Sequence, residues 1–249
     1  MTRKFKDHFS HAAADYATYR PHYPPALADY LTSLVAARNV AWDAGCGSGQ
    51  FSSVLGERFD QVFATDASAE QIARAVPHPH VKYAVATADG VDLLASSVDL
   101  VTVAQAAHWF DLPPFYAEVR RVARPRGVIA LFAYGITIME PPVGPVIDDF
   151  YSRVLGAWWP RERRHTENGY RDFEFPFDEV IPPKIDMAVD WSVDQLVGYV
   201  GTWSGVRAIT AAEGERPLQE FSLNVRAVWG STPTRRVRWP LGMRVGRIS

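Results

Sequence analysis

The chain has 249 residues and a formal net charge of -2. That length suits one α/β domain with an elaboration, and the near-neutral balance argues against a dedicated nucleic-acid binder, which usually carries a strongly basic face. A hydrophobic fraction of 47% beside 22% charged residues is that of a soluble globular protein able to bury a core without disulfides or metals.

Cys46 is the sole cysteine, which excludes an intrachain disulfide and a cysteine-based metal cluster and fits a reducing cytoplasm. The first residues show no apolar signal core, and runs such as Val128 to Ala133 are strand-sized, too short for a bilayer. The expectation is a cytoplasmic protein with no membrane partner and no resident metal.

In chain order, Pro24-Pro25 sets up a helix start, and Leu27, Tyr30, Leu31, Leu34 and Val35 fall at helical spacing over 26–38. A regular alternation follows. Strands are predicted over 39–43, 61–65, 81–87, 98–104 and 128–134. Between them lie helices over 50–58, 68–76 and 112–124 and a turn at Pro125-Arg126-Gly127. Ser68 and Gln71 are spaced as a capping box. Strands alternating with helices imply right-handed βαβ units and a mostly parallel sheet covered on both faces. Beyond Gly135 the pattern changes to prolines and aromatics, among them Trp158, Trp159, Phe173, Phe175 and Phe177. A strand over 184–191, helices over 192–203 and 217–229 and a final strand over 235–245 read as a late return to the sheet around an inserted helical cap. The expected division is an N-terminal cap segment 1–25, a core 26–135, the cap with a sixth strand 136–230, and a final strand 231–249. The dense aromatics either line a pocket or form a small core under the cap.

The sharpest motif is Asp43-Ala44-Gly45-Cys46-Gly47-Ser48-Gly49 at the end of the first strand. Ligands of an open parallel sheet bind beyond the carboxyl ends of its strands. Glycines there allow close backbone approach and positive φ, and the next helix points free N–H groups at the same place. A nicotinamide or flavin fingerprint wants glycine at the sixth position of this turn, where Gln50 stands. An acid at Asp43 repels a pyrophosphate and suits a cationic amine. Asp66 closes the second strand, where a carboxylate can accept both ribose hydroxyls. Ala88-Asp89 follows the third, where it can accept from an adenine amino group. One acid after each of three successive strands forms an ordered set.

With these residues the chain resembles the class I S-adenosylmethionine-dependent methyltransferases. Within them it is similar to the trans-aconitate-methyltransferase-like group of small-molecule enzymes, through Tyr16 to Pro24, Ala104 to Phe110, Thr202-Trp203-Ser204 and Val237 to Pro240. The resemblance implies a three-layer Rossmann-like fold with a seven-stranded sheet, its last strand antiparallel, and S-adenosylmethionine as cofactor with S-adenosylhomocysteine as product. It implies cofactor contacts from Asp43, Gly45, Gly47, Asp66, Ala67, Ala88, Asp89 and Gln105, with Gly45 and Gly47 against the methionine end and Tyr19 or Arg20 closing over it. A guanidinium can bind a carboxylate bidentately.

The segment from Gln105 to Phe110 lies where the transferable methyl should sit. His108 is placed to act as general base or to position an acceptor, and Trp109 to face a cation or substrate. Trp203 is a third substrate-side candidate, in the cap. Cys46 reads as a small packing residue. His78 and His80 have no surrounding acid cluster at ligand spacing and read as a solvated loop. Arg235, Arg236, Arg238, Arg244 and Arg247 are either a solvent face or an anion site. The arginines of the second half, Arg163 among them, are either surface or counter-charges for an acidic acceptor. The resulting reading is methyl transfer to oxygen, ahead of nitrogen, of a small molecule, with a carboxylate as one option. Nucleic acid is not expected as a partner, and the assembly is a monomer or homodimer. The alternatives are a non-catalytic binder of the same cofactor and a nicotinamide-dependent oxidoreductase.

Overall fold

The computed structural model describes residues 19–249; Tyr16, and most of the expected N-terminal cap segment, lie outside them. The first helix lying wholly within them, α1 (Pro25–Ser33), opens on Pro24-Pro25 and buries Leu27, Ala28, Leu31 and Thr32. It ends five residues before the predicted Arg38. The Ser33 hydroxyl donates to the Tyr30 carbonyl at 2.6 Å, an alternative to continued helix. There follow β1 (Val40–Ala44), α2 (Gln50–Gly56), β2 (Gln61–Asp66), α3 (Ala69–Ala73), β3 (Val81–Val85), β4 (Val98–Ala104), a short 3₁₀ turn (Ala107–Trp109), α4 (Leu112–Val122) and β5 (Ala123–Tyr134). Of the capping box expected at α3, the Ser68 half forms, its side chain accepting from the Gln71 backbone at 3.3 Å.

The cap carries α5 (Val143–Asp149), a π-helical turn (Phe150–Val154), a 3₁₀ turn (Gly156–Trp158) and α6 (Arg163–Glu167). After β6 (Asp178–Val180) and β7 (Met187–Trp191) come α7 (Val193–Gly201), α8 (Ser204–Glu213) and α9 (Arg216–Trp229), then β8 (Arg235–Trp239) and β9 (Leu241–Arg247).

Seven strands form one sheet in the order β3-β2-β1-β4-β5-β9-β6. Strands β1 to β5 pair in parallel, and β9 runs antiparallel between β5 and β6. The fold is thus the mixed, seven-stranded, three-layer α/β architecture expected, with the chain's last strand reversed. Period-2 alternation divides the interior although both faces are buried. On β5, Val128, Ala130, Phe132 and Tyr134 join one core with α1, α2 and the cap helices. Ile129, Leu131 and Ala133 join the other, with Trp42 and the buried face of α4. The strand order reverses between β1 and β4, which places a ligand crevice beyond their carboxyl ends.

Three expectations are corrected. The strand of 184–191 does not rejoin the sheet: Met187–Trp191 pairs with Arg235–Trp239 as a separate antiparallel ribbon. The sixth sheet strand is Asp178–Val180, three residues with two exposed, too short and too polar to show a period. The final strand is two, divided at Pro240, which has no N–H for a ladder; its carbonyl accepts instead from Gly135 at 2.9 Å. Finally, α4 stops at Val122. The residues 125–127 form an irregularity within β5, where the pairing with β4 jumps from Val98–Ala123 to Leu100–Val128 and Arg126 takes φ 64. Helix α8 was not foreseen.

Candidate active site

Strand β1 delivers the glycine turn to the switch point. Gly45, Gly47 and Gly49 have φ of 68, 56 and 83, a region that L side chains disfavour. Their steric reasons differ. A Cβ on Gly49 would stand 2.3 Å from the Tyr83 hydroxyl, and one on Gly45 would stand 2.6 Å from the Ala106 Cβ. Both glycines therefore also serve protein–protein packing. A Cβ on Gly47 would meet nothing nearer than the Gln71 amide oxygen at 3.9 Å, so the open side of the turn lies over Gly47.

Asp66, at the end of β2, stitches this turn to the next. Its carboxylate accepts from the Gly47 N–H and from the Ser68 N–H, each at 2.8 Å. A carboxylate offers about four acceptor sites, and this one is half-buried, so capacity remains for a diol. Asp43 is different. It is fully buried and accepts from Ser52 at 2.6 Å and Thr102 at 2.8 Å. Burial pushes its carboxyl up from 3.8 to about 6, against those two hydrogen bonds. Asp43 thus presents no exposed oxygen; it ties β1 to α2 and to β4. Burial and the neighbouring Asp43 and Asp66 charges raise the Cys46 thiol well above its ordinary range, which suits packing and not nucleophilic work. Beyond β2 and β3, Ala67 and Ala88 are half-buried and Asp89 is exposed.

Gln105 leaves β4 with φ 57. Its N–H donates to Phe132 at 2.9 Å and its side-chain amide to the Tyr134 carbonyl at 3.1 Å. Arg20 reaches the same residue, donating to the Tyr134 hydroxyl at 3.1 Å, and also to the Thr202 carbonyl in the cap at 3.3 Å. Tyr19 packs where only hydrogen would fit on Gly198 of α7, since a Cβ there would stand 2.5 Å from its ring. The two N-terminal candidates therefore bridge the end of the sheet and the cap.

His108 sits on the 3₁₀ turn, its ring 4.6 Å from that of Trp109 and its Nδ1 3.2 Å from the Tyr170 hydroxyl. Enclosure of the ring, then the charges of His165 and Arg163, push it down to about 3. The imidazole is neutral at ordinary pH, and its affinity for a proton is too low for an efficient general base.

Trp203 is 1% exposed and packs 5.7 to 5.8 Å from the rings of Tyr151, Trp159 and Tyr199. Its indole N–H has no hydrogen-bond partner among the described residues. Arg163 lies 4.3 Å over the Trp159 ring and donates to the Tyr151 hydroxyl at 2.7 Å. These aromatics are continuous with the sheet core, while Phe173, Phe175 and Phe177 pack on its opposite face.

Of the C-terminal arginines, Arg238 is exposed and the other four are engaged with separate partners, not with a shared anion site. Arg235 donates to Trp229, Arg236 to Asp190, Arg244 to Tyr170, Phe173 and Glu179, and Arg247 to Leu34. Among the described residues no group of three or more His, Cys, Asp or Glu could hold a metal, and no helix is long and apolar enough to cross a membrane. Sequence reasoning missed Ser52, Thr102, Tyr134 and Tyr170. Ser52 lies only nine residues from the Asp43 it bonds, on the helix after the glycine turn; Thr102, Tyr134 and Tyr170 gain their roles from contacts between distant segments, which no local spacing encodes.

A Rossmann-like sheet with an acid-flanked glycine turn at its switch point defines a nucleoside-cofactor enzyme class, and the relatives define which. A family model described as a methyltransferase domain matches residues 42–131. A Dictyostelium discoideum protein provisionally named a methyltransferase is 32% identical over 233 residues, 92% of this chain and 89% of its own length. An uncharacterized methyltransferase of Schizosaccharomyces pombe is 31% identical, covering 86% of each. Among solved structures, a protein from Anaeromyxobacter dehalogenans provisionally described as a type II methyltransferase superposes with a TM-score of 0.88 at 46% identity, covering 92% of this chain and 98% of that one. The chain belongs to the class I S-adenosylmethionine-dependent methyltransferases, and S-adenosylmethionine is its cofactor. The nicotinamide alternative is set aside. The glycine turn, open over Gly47 and backed by the buried Asp43 charge and the half-buried Asp66 carboxylate, fits that cofactor.

Proposed function

We propose that the protein methylates an oxygen, ahead of a nitrogen, of a small acidic molecule held between the His108-Trp109 turn and the cap. The observation that carries this reading is the enclosed, neutral His108 on the turn after β4, beside Trp109 and Tyr170: it can donate a hydrogen bond to an acceptor oxygen that is already anionic, while the nearby cap cations Arg163 and His165 are each paired with a carboxylate, Glu167 and Asp172. A carboxylate is already ionised near neutral pH and needs no base, in keeping with a neutral His108. S-adenosylmethionine, when bound, supplies a methyl group on a sulfonium that leaves as a neutral thioether.

In this reading Asp66, with Ala67, Ala88 and Asp89, holds the nucleoside end, while Gly45, Gly47, Gln105, Tyr19 and Arg20 surround the methionine end. His108 touches the acceptor as a neutral hydrogen-bond donor and Trp109 shapes its apolar side, while Trp203, buried in the aromatic core of the cap, holds the cap's shape and does not itself meet the acceptor. Much of the rate then comes from alignment and exclusion of water. Kinship with the trans-aconitate-methyltransferase-like group belongs to this proposal. So do a small-molecule partner in place of nucleic acid, a cytoplasmic setting and a monomeric or homodimeric state.

The test is transfer of a labelled methyl group from S-adenosylmethionine across a panel of carboxylic acids, phenols and amines. A product that releases labelled methanol in alkali is the expected ester. Turnover confined to alkali-stable products would overturn the carboxylate reading. Loss of the label in Asp66→Ala, together with loss of the thermal stabilisation by S-adenosylhomocysteine, is expected if the cofactor seat is as described. At 100 times its dissociation constant a ligand stabilises by about 2.7 kcal/mol.

A further inference from the structure

Tyr170 lies in no motif and is remote in sequence from the cofactor turn, yet it is fully buried with φ 61. A bulky residue held at positive φ is strained and persists only where its surroundings over-determine it. Gly169 before it packs backbone to backbone on Gly242 of β9, where a Cβ would stand 2.8 Å from the Gly242 Cα. The Tyr170 N–H donates to His165 at 2.8 Å. Arg244 of β9 donates to the Tyr170 carbonyl at 3.1 Å, and the Tyr170 ring stacks on Phe173 at 5.0 Å. The sheet and the cap together thus aim one phenol at the turn after β4.

We infer that Tyr170 is a positioning residue that fixes the tautomer of His108, so that the imidazole presents Nε2–H as a hydrogen-bond donor. The logic is one of hydrogen counting. The phenol is buried from water, so its O–H must find an acceptor within the protein, and among the described residues the group within reach is Nδ1 of His108, 3.2 Å away. With Nδ1 accepting, the single proton of the neutral ring must sit on Nε2. An N–H donor suits an acceptor oxygen that is already anionic, whereas a general base would need that nitrogen bare. The inference rests on the reading that His108 meets the acceptor, but the tautomer is measurable with no acceptor present.

The experiment is a two-bond ¹H–¹⁵N correlation spectrum of the protein labelled on its histidines. The pattern missing in His108→Asn assigns His108 among the 7 histidines. The expected wild-type pattern has Nδ1 unprotonated and Nε2 protonated, and Tyr170→Phe gives a mixture of the two tautomers. A proton on Nδ1 in the wild type overturns the inference, whether or not the variant folds. So does a folded Tyr170→Phe protein with the wild-type pattern, since a ring that merely fills space would leave the tautomer unmoved. Once an acceptor is in hand, Tyr170→Phe is expected to lower kcat about tenfold with the KM for S-adenosylmethionine unchanged. Full activity in His108→Ala would instead defeat the acceptor reading and leave the tautomer result standing.

Discussion

The sheet crevice and the cap hold their sites by different means. At the crevice the groups are backbone and short acids: Gly47 and Asp66 at its open side and Asp43 buried beneath, each within one turn of a strand end and bonded to its neighbours at 2.6 to 2.8 Å. In the cap the corresponding groups are large aromatics and the guanidinium of Arg163, brought together from residues 151 to 203 and joined to the sheet core through Tyr134, Tyr199 and Trp239. A backbone seat suits a cofactor common to a family. A side-chain seat can change with one substitution, which suits an acceptor that differs between members.

Trp203→Ala tests that division most severely. Truncating a buried tryptophan costs about 3–5 kcal/mol, roughly 6–20 °C in Tm for a chain of this size. The expected outcome is a lower Tm whose further rise with S-adenosylhomocysteine stays at the wild-type size. If that increment vanishes, cap and crevice are one site and the comparison breaks.

Gly49→Ala strikes the other region. It forces an L side chain into φ 83 and against the Tyr83 hydroxyl, and strain and overpacking together cost about 2–5 kcal/mol. Cofactor stabilisation should fall with it, while the hydrogen-exchange protection of α7 and α8 stays as in the wild type.

Asp43→Asn sharpens the electrostatic side. The native carboxyl holds its proton up to about pH 6 against 3.8 when unperturbed, so between those values the folded chain binds more protons. Stability then falls as pH rises through the window, by at most about 3 kcal/mol. The variant should therefore gain on the wild type from pH 4 to pH 7 in urea titrations, while losing affinity for the cationic cofactor. A pH-independent difference would place the cost elsewhere. His108 has the opposite sign. Its lowered value means that the unfolded chain takes up a proton first as pH falls below 6.5, so this group withdraws stability on acidification. The smallest effect is expected at Arg236→Ala. The Arg236–Asp190 pair is 3.2 Å apart with each side chain 59% exposed, worth under about 1 kcal/mol. Tm should barely move, and a large drop would show the β7–β8 ribbon to be held by that pair and not by its ladder.

Much of the crevice was legible because its determinants are local. Strand–turn–helix periodicity, glycines that only a positive φ explains, and an acid at each strand end all lie within a few residues of their effects. Ser68 at the start of α3 and Pro24-Pro25 at the start of α1 are of the same kind. What stayed hidden is non-local. Asp43 shows in the sequence as an acid, but its burial between Ser52 and Thr102 depends on α2 and β4 packing over it. Pro240 and the short, polar Asp178–Val180 strand misled the pattern, because which strand joins the sheet is decided by pairing partners far along the chain. The role of Tyr170 follows only from Gly169 meeting Gly242 and Arg244 meeting its carbonyl, contacts between segments some seventy residues apart. The sequence by itself thus determined the class of sheet and the cofactor turn, where the physics is turn geometry and side-chain period. Only the tertiary structure decided the cap, the exposure of each acid and the surroundings of His108, where the physics is long-range packing and the loss of solvent around charge.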